Sequence, residues 1–245
     1  YIILALTFGY TLIMAETSLG RMTRKSPVGA FESFGNSRFI SIGGWINAII
    51  PILIVPYYSV IGGWVIKYLI EYFAGHSKTL AGDAYFTTFI SNGWSTEICF
   101  IIFTLFTLGI IYVGVRNGIE RVSRFMMPIL IVLSLIIAVY SVTRPGAIEG
   151  VKYFLVPNFD HFSWMTVVSA MGQMFYSLSI AMGILITFGS YMKKDTSIEK
   201  STENVEIFDT AIAIMAGLMI IPAVFAFSGG NAETLKSGPA LMFIT

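Results

Sequence analysis

Three polar residues lie inside segments otherwise apolar enough to cross a membrane: Glu16 in FGYTLIMAETSLG, Gln173 in SAMGQMFYSLSIAMGI and Asp209 in EIFDTAIAIMAGLMIIPAVFAF. An acid at the centre of a membrane helix costs about 2.5–3.5 kcal/mol on insertion scales. A group retained at that cost faces a bundle interior, an ion or a partner side chain. The chemistry to expect is therefore ion or zwitterion binding inside a membrane, by Asp209, Gln173 and Glu16 together with whatever stands near them.

Each residue has neighbours that sharpen this expectation. Ile212, Ala213 and Ala216 follow Asp209 on one helical face, and Ala216-Gly217 forms a small surface that another helix can approach closely. A carboxylate there suits Na⁺ or a proton; a helix-entry aspartate bonded near cytoplasmic water suits the sequence equally. Gln173, Tyr176 and Ser177 share a face by their three- and four-residue spacing. They make a polar stripe able to ligate a small ion or orient a carboxylate, or a set of interhelical hydrogen bonds worth about 0.6–2 kcal/mol each. Ile54 and Tyr58 stand four apart, with Gly62 and Gly63 beyond. Tyrosine prefers interfaces where its hydroxyl stays wet, so Tyr58 at mid-membrane needs a partner, either a helix carbonyl or a ligand carboxylate. Glu16 shows no partner in the sequence.

These residues must be positioned by helices. Of 245 residues 56% are hydrophobic and 12% charged, the latter about half the share usual in soluble domains, and the mean hydropathy is +0.78. A span needs about 20 apolar residues to cross about 30 Å of hydrocarbon. Six stretches qualify, at approximately 1–22, 42–72, 96–115, 121–142, 165–192 and 205–228, separated by polar linkers. The class is an all-α integral membrane protein in a lipid bilayer. Pro51 and Pro56 predict a kinked, tilted second span. The fifth stretch is over-long and interrupted by Gly172, Gly183 and Gly189; its length permits a broken helix and fits a tilted one equally well.

Basic residues set the orientation. One set of loops carries Arg21, Arg24, Lys25, Arg38, Arg116, Arg121, Arg124, Lys193, Lys194 and Lys200, against Lys78, Arg144, Lys152 and Lys236 on the other side. Ten against four puts the first set in the cytoplasm and both chain ends outside. His76 and His161 then fall in outer loops, where solvation is expected. The chain opens at Tyr1 in an apolar run and stops at Thr245 with no polar tail, as an internal fragment of a longer protein would. A net charge of +1 gives no argument for nucleic acid. The lone Cys99 excludes an internal disulfide and a cysteine-rich metal cluster. No P-loop, zinc spacing or hydrolytic triad is present, so neither an enzyme nor an organic cofactor is indicated.

Several motifs together resemble the neurotransmitter:sodium symporter family in its bacterial amino-acid-transporting branch. They are ETSLGR with Glu16, PYYSVIGGW at 56–64, GVRNGIERVSRFMMPIL at 114–130, GQMFYSLSIAMGILITFGSYMKKD at 172–195, DTAIAIMAGLMIIPAVFAF at 209–227 and SGPALMFIT at 237–245. The resemblance implies a LeuT-type fold, of which this chain would supply about the second to seventh of twelve helices, in a multi-pass protein of the cell membrane. That fold has inverted repeats and discontinuous helices around a midplane site. It implies a break near 178–181 and sodium-coupled symport of an amino acid, neutral or hydrophobic, by the full-length protein.

Position by position, the resemblance makes Tyr58 a donor to the substrate carboxylate and Ile54 a lining of the side-chain pocket. Tyr176 becomes an aromatic lid. The amino group falls to carbonyls around Tyr176 and Ser177 with the Ser179 hydroxyl, and Met182 floors the apolar pocket. Ser177 and Asp209 become sodium ligands. Tyr1, Gln173, Ser177 and Asp209 match the surroundings of the chloride site of animal relatives, which carry asparagine where Asp209 stands; a fixed carboxylate there implies chloride independence. Glu16 would bond the unwound segment. Two other readings remain compatible with the residues: a proton-coupled or exchange permease of the same fold, with Asp209 or Glu16 titrating, and a non-transporting membrane subunit whose polar residues only hold helices together.

Overall fold

Hydrocarbon offers the backbone no hydrogen-bond partner except itself, so an apolar chain of this kind satisfies its peptide groups within helices. The structure, a computed structural model, describes residues 1–35, 37–76, 80, 85–157, 159, 162–227 and 243. Among them the regular elements are helical. In chain order they are α1 (Ile2–Thr23), α2 (Pro27–Glu32), α3 (Arg38–Phe73), α4 (Tyr85–Ser91), α5 (Gly93–Tyr112), α6 (Glu120–Val142), α7 (Ala147–Leu155), α8 (Trp164–Ser177), α9 (Ile184–Tyr191) and α10 (Ile198–Phe227). Short π-helical turns occur at Ala5–Gly9 within α1 and at Val115–Ile119 ahead of α6.

Five of these runs are long and apolar enough to cross a membrane: Ile2–Thr23, Arg38–Phe73, Gly93–Tyr112, Asn117–Val142 and Ile198–Ala226. The stretch 165–192 is instead two shorter helices, α8 and α9, separated by residues 178–183. Helix α3 stays helical through both prolines and holds 36 residues. At about 1.5 Å per residue it is about 54 Å long, so it tilts or projects beyond the hydrocarbon. Helix α10 begins at Ile198, so part of the expected polar linker joins the helix ahead of the apolar run. The motif at 237–245 and His161 lie outside the described residues, apart from Phe243.

The chain divides into two compact units. The first comprises Tyr1–Ile54 and Asn158–Ile214. Its core is Ala5, Ile13, Met174, Leu178 and Ile180, with Tyr1, Leu12 and Phe175 packed against it, so α1 is fastened to the end of α8. Helices α1 and α9 meet backbone to backbone. A Cβ on Gly20 would land on the carbonyl of Ile186, and one on Gly189 would land on the carbonyl of Thr17. Small residues permit such an approach, which in lipid is a main source of helix association. Gly20→Ala and Gly189→Ala are each expected to destabilise the full-length protein by about 1–3 kcal/mol, because backbone atoms and not flexible side chains must move. Their effects should not add, since they widen one contact. Thermal unfolding in detergent reads this out, and unchanged midpoints would contradict the contact.

The second unit comprises Val55–Pro157 and Met215–Thr245. Within it α7 packs on the later part of α10: a Cβ on Gly150 would meet Pro222, and one on Gly217 would meet the Phe154 ring. Ser141 Oγ on α6 donates to the Met219 carbonyl at 2.9 Å. Trp64, Phe86 and Phe243 form an aromatic cluster, with Trp64 edge-on to Phe86 and Phe86 stacked on Phe243. His76, expected to be merely solvated, is exposed yet has its Nδ1 2.7 Å from Glu71, whose other oxygen holds Lys67 at 2.7 Å.

Candidate functional site

A helix that stops at membrane depth strands carbonyls at one end and N–H groups at the other, and each must be answered by protein, water or ligand. Helix α8 starts on a capping box in which Ser163 N–H donates to Thr166 Oγ1, and it ends at Ser177. Beyond it Ser179, Ala181 and Gly183 adopt left-handed backbone, at φ of 56°, 60° and 67°. The first two carry a Cβ that disfavours this region by about 1–2 kcal/mol, so other contacts must hold them there. Leu178 and Ile180 bury their side chains in the core. Ile180 N–H returns to the Phe175 carbonyl at 2.9 Å.

Two side chains from other helices complete the restraint. Ala181 N–H donates to Oε1 of Glu16 on α1 at 2.7 Å. Gly183 N–H donates to Oδ1 of Asn47 on α3 at 3.1 Å. Glycine is required at 183 for space as well as for its dihedral: a Cβ would crowd Pro27 of α2 and the Asn47 carbonyl. Glu16 thus receives the partner that its own sequence neighbourhood lacks, and that partner is backbone. Asn47 was passed over in the sequence. Its signal was an amide inside an apolar stretch, the same signal that drew attention to Gln173.

One turn back toward α8 lies the polar centre. Oδ2 of Asp209, on α10, accepts from Ser177 Oγ at 2.7 Å and from the Tyr1 hydroxyl at 3.0 Å. A charged acceptor makes such bonds short and strong. Three helices therefore converge on one carboxylate oxygen at the point where α8 gives out. Ser177, Ser179, Asp209 and Thr17 line one cavity of about 420 Å³. Met182 lines a separate one of about 310 Å³ with Asn47, Pro51 and Phe188.

The structure brings some of the expected residues together and leaves others apart. Tyr1, Ser177 and Asp209 form one hydrogen-bonded group; Gln173, one turn before Ser177, is exposed and joins no hydrogen bond among the described residues. Tyr176 is 43% exposed beside them. Ile54 is half-buried at the end of the first unit. Tyr58 lies four residues further along the same helix, in the second unit, with its ring edge-on to Tyr57. Among the described residues no group of three or more His, Cys, Asp or Glu could hold a metal. Any cation at this centre would therefore be held by hydroxyl, carbonyl and single carboxylate oxygens, which suit a hard monovalent ion.

Comparison with known proteins shows the family and the fold. The model of the sodium:neurotransmitter symporter family matches residues 71–245. A Bacillus subtilis (strain 168) protein named as an uncharacterized sodium-dependent transporter, YhdH, is 32% identical over 99% of this chain and 54% of its own length. The human sodium- and chloride-dependent GABA transporter 2 is 24% identical over the whole chain and 48% of its own length. The crystal structure of MhsT in complex with L-phenylalanine superposes with a TM-score of 0.86 at 34% identity, covering all of this chain and 55% of that one. The fold is thus of the LeuT type, and the chain spans about half the length of the curated relatives it matches.

Proposed function

The chain belongs to the sodium:neurotransmitter symporter family, and on that premise we propose that the full-length transporter drives an amino acid across the cell membrane with sodium. The observation that carries this reading is the Ser177–Asp209 pair at the break, 2.7 Å apart and joined by Tyr1. Sodium lies between those oxygens and the carboxylate of a bound zwitterion. In a site with water excluded, ion and substrate attract each other strongly, so each raises the affinity for the other. Inward sodium supplies about 2.3 kcal/mol per charge per 100 mV, besides its concentration gradient.

The break exposes carbonyls near Tyr176 and Ser177 that, with the Ser179 hydroxyl, receive the ammonium group, and the family resemblance assigns the substrate carboxylate to the Tyr58 hydroxyl. Tyr176 covers the site. Ile54 and Met182 enclose the side chain, and the flexible thioether of Met182 favours a neutral, apolar one. The loops rich in arginine and lysine face the cytoplasm. Uptake of labelled neutral amino acids into proteoliposomes of the full-length protein tests this. Saturable uptake in sodium but not in choline is expected. Equal uptake in choline under a pH gradient would replace sodium with the proton as driver.

The anion requirement is a separate expectation. Asp209 supplies a fixed negative charge beside the cation, so uptake in gluconate should match uptake in chloride within about twofold. A strong chloride requirement would show that the carboxylate does not fill that role.

A further inference from the structure

Helix α1 buries Ala5, Gly9, Ile13, Thr17 and Gly20, whose spacing of three or four residues puts them on one continuous face. That face meets both pieces of the interrupted stretch in succession. Its first half lies on the end of α8: Ala5 and Ile13 share a core with Met174 and Leu178, and a Cβ on Gly9 would run into Leu178. Glu16 then grips Ala181 in the break, and Thr17 and Gly20 meet α9 backbone to backbone. The last turn of α1 adds a strap. Arg21 donates through Nη1 to the Thr196 carbonyl and through Nη2 to the Lys194 carbonyl, and Arg24 Nη1 donates to the Ser190 carbonyl at 2.9 Å. Ser190 lies in the last turn of α9, and Lys194 and Thr196 lie in the connection to α10. The ion pairs among the described residues are Lys67–Glu71, His76–Glu71 and Arg124–Glu120, so neither arginine is spent on a carboxylate there.

These bonds answer a need that membrane sidedness alone does not create. The last carbonyls of a helix have no partner within it and carry partial negative charge, which attracts a cation. Helix α9 has eight residues, too few to persist on helix propensity alone. A planar guanidinium can hold two carbonyls in one fixed geometry, which an ammonium group does not match. Arg24 ends α1 in left-handed backbone at φ 55°, where glycine is the usual residue. The side chain that glycine lacks is the one that reaches Ser190. We propose that Arg21 and Arg24 are positioning residues for the site at the break: they lock α9 to α1, so that α1 splints α8 and α9 and residues 178–183 form a fixed turn and not a hinge. Position passes to the site at both ends of α9. Its start adjoins the turn that carries Ser179, and the connection after it leads within two residues of Thr196 into α10, which carries Asp209. A loosened strap therefore shifts the groups on either side of the Ser177–Asp209 pair. The inference rests on the transport reading above only for its uptake measurements.

The test uses the full-length protein with the buried Cys99 changed to Ser, and with Met22→Cys and Lys193→Cys carrying spin labels. Both labelled positions are exposed, one at the end of α1 and one just after α9. With both arginines in place, dipolar line broadening should report one narrow distance, the same in sodium with L-leucine as in choline without it. Arg21→Ala combined with Arg24→Ala should spread that distance. In proteoliposomes the same pair should raise the half-saturation for labelled L-leucine about tenfold, as misplaced binding groups do, with the maximal rate less affected. Arg21→Lys keeps the charge but not the fork and should recover only part of the affinity. A shift of about 5 Å or more between the two conditions in the protein with both arginines, one helical turn, makes the break a hinge and overturns the proposal. So does an unchanged, narrow distance in the double variant. A double variant with a lowered unfolding midpoint but wild-type half-saturation makes the arginines stabilisers only, and also overturns it. If the double variant does not fold, Arg21→Lys decides, and wild-type distance and half-saturation there overturn the proposal. A wild type without sodium-dependent uptake removes the transport reading and leaves the distances in the arginine variants to decide this one.

Discussion

Asp209→Ala is expected to weaken sodium binding to the full-length transporter by about two to three orders of magnitude and to weaken substrate binding with it. The carboxylate is the one formal charge in the hydrogen-bonded group at the break, and its Oδ2 takes both Ser177 Oγ and the Tyr1 hydroxyl. A unit charge about 4 Å from a cation is worth about 4 kcal/mol at an effective dielectric constant near 20. That corresponds to nearly three decades of affinity, and water entering the vacated space returns only part of it. Coupling between two ligands is reciprocal, so whatever factor sodium loses in its effect on substrate, substrate loses in its effect on sodium. Titrating sodium at fixed substrate and substrate at fixed sodium measures both. Unchanged substrate affinity in Asp209→Ala would mean that ion and substrate do not touch at this centre. Asp209→Asn refines the result, because it keeps the volume and the acceptor but removes the charge. It should recover some sodium binding and make uptake respond to chloride.

Glu16→Ala should abolish most uptake for a different reason. Ala181 N–H loses its acceptor at 2.7 Å, at a residue already held at a φ of 60°. Hydrogen bonds to charged groups contribute about 1.5–3 kcal/mol, and an N–H stranded at membrane depth must find another acceptor. The strained turn then relaxes toward ordinary helix or opens irregularly. Either change moves the carbonyls beside Ser177 by more than an ångström, and misplacement of that order costs binding about tenfold or more. Glu16→Gln retains an acceptor oxygen and should keep an intermediate activity, which separates loss of geometry from loss of charge. The readout is uptake rate together with unfolding midpoint. Wild-type uptake in Glu16→Ala would show that the break is held by Leu178, Ile180 and Asn47 without it.

The break illustrates how tightly neighbouring restraints are shared. Glu16 from α1 and Asn47 from α3 grip N–H groups two residues apart, at Ala181 and Gly183. Pro27 of α2 fills the space that the missing Cβ of Gly183 leaves. Hydropathy could point to each polar residue singly, as an expensive object in a hydrophobic run. It could not pair them, because Glu16 and Ala181 are 165 positions apart and Tyr1 and Asp209 are 208 apart.

What the amino-acid order determined by itself is everything governed by local physics. Long apolar runs demand helices, because only self-bonded backbone is stable in hydrocarbon. Ala216-Gly217 marks a surface small enough for another helix to approach. Glu16, Gln173 and Asp209 declare themselves by the cost of burying them, and the surplus of arginine and lysine at one set of loops suggests a sidedness. The tertiary structure decided which faces meet. It ended α8 at Ser177, since an over-long apolar stretch is compatible with a tilt as well as a break, and only neighbours able to accept stranded N–H groups make the break affordable. It left Gln173 out of the group that Tyr1 joined, although both were singled out for the same place. It also put Thr202 Oγ1, Glu206 Oε1 and Thr210 Oγ1 on one face as buried oxygens with no partner among the described residues. Periodicity tells which residues share a face of a helix; what stands opposite that face depends on packing between segments far apart in the chain.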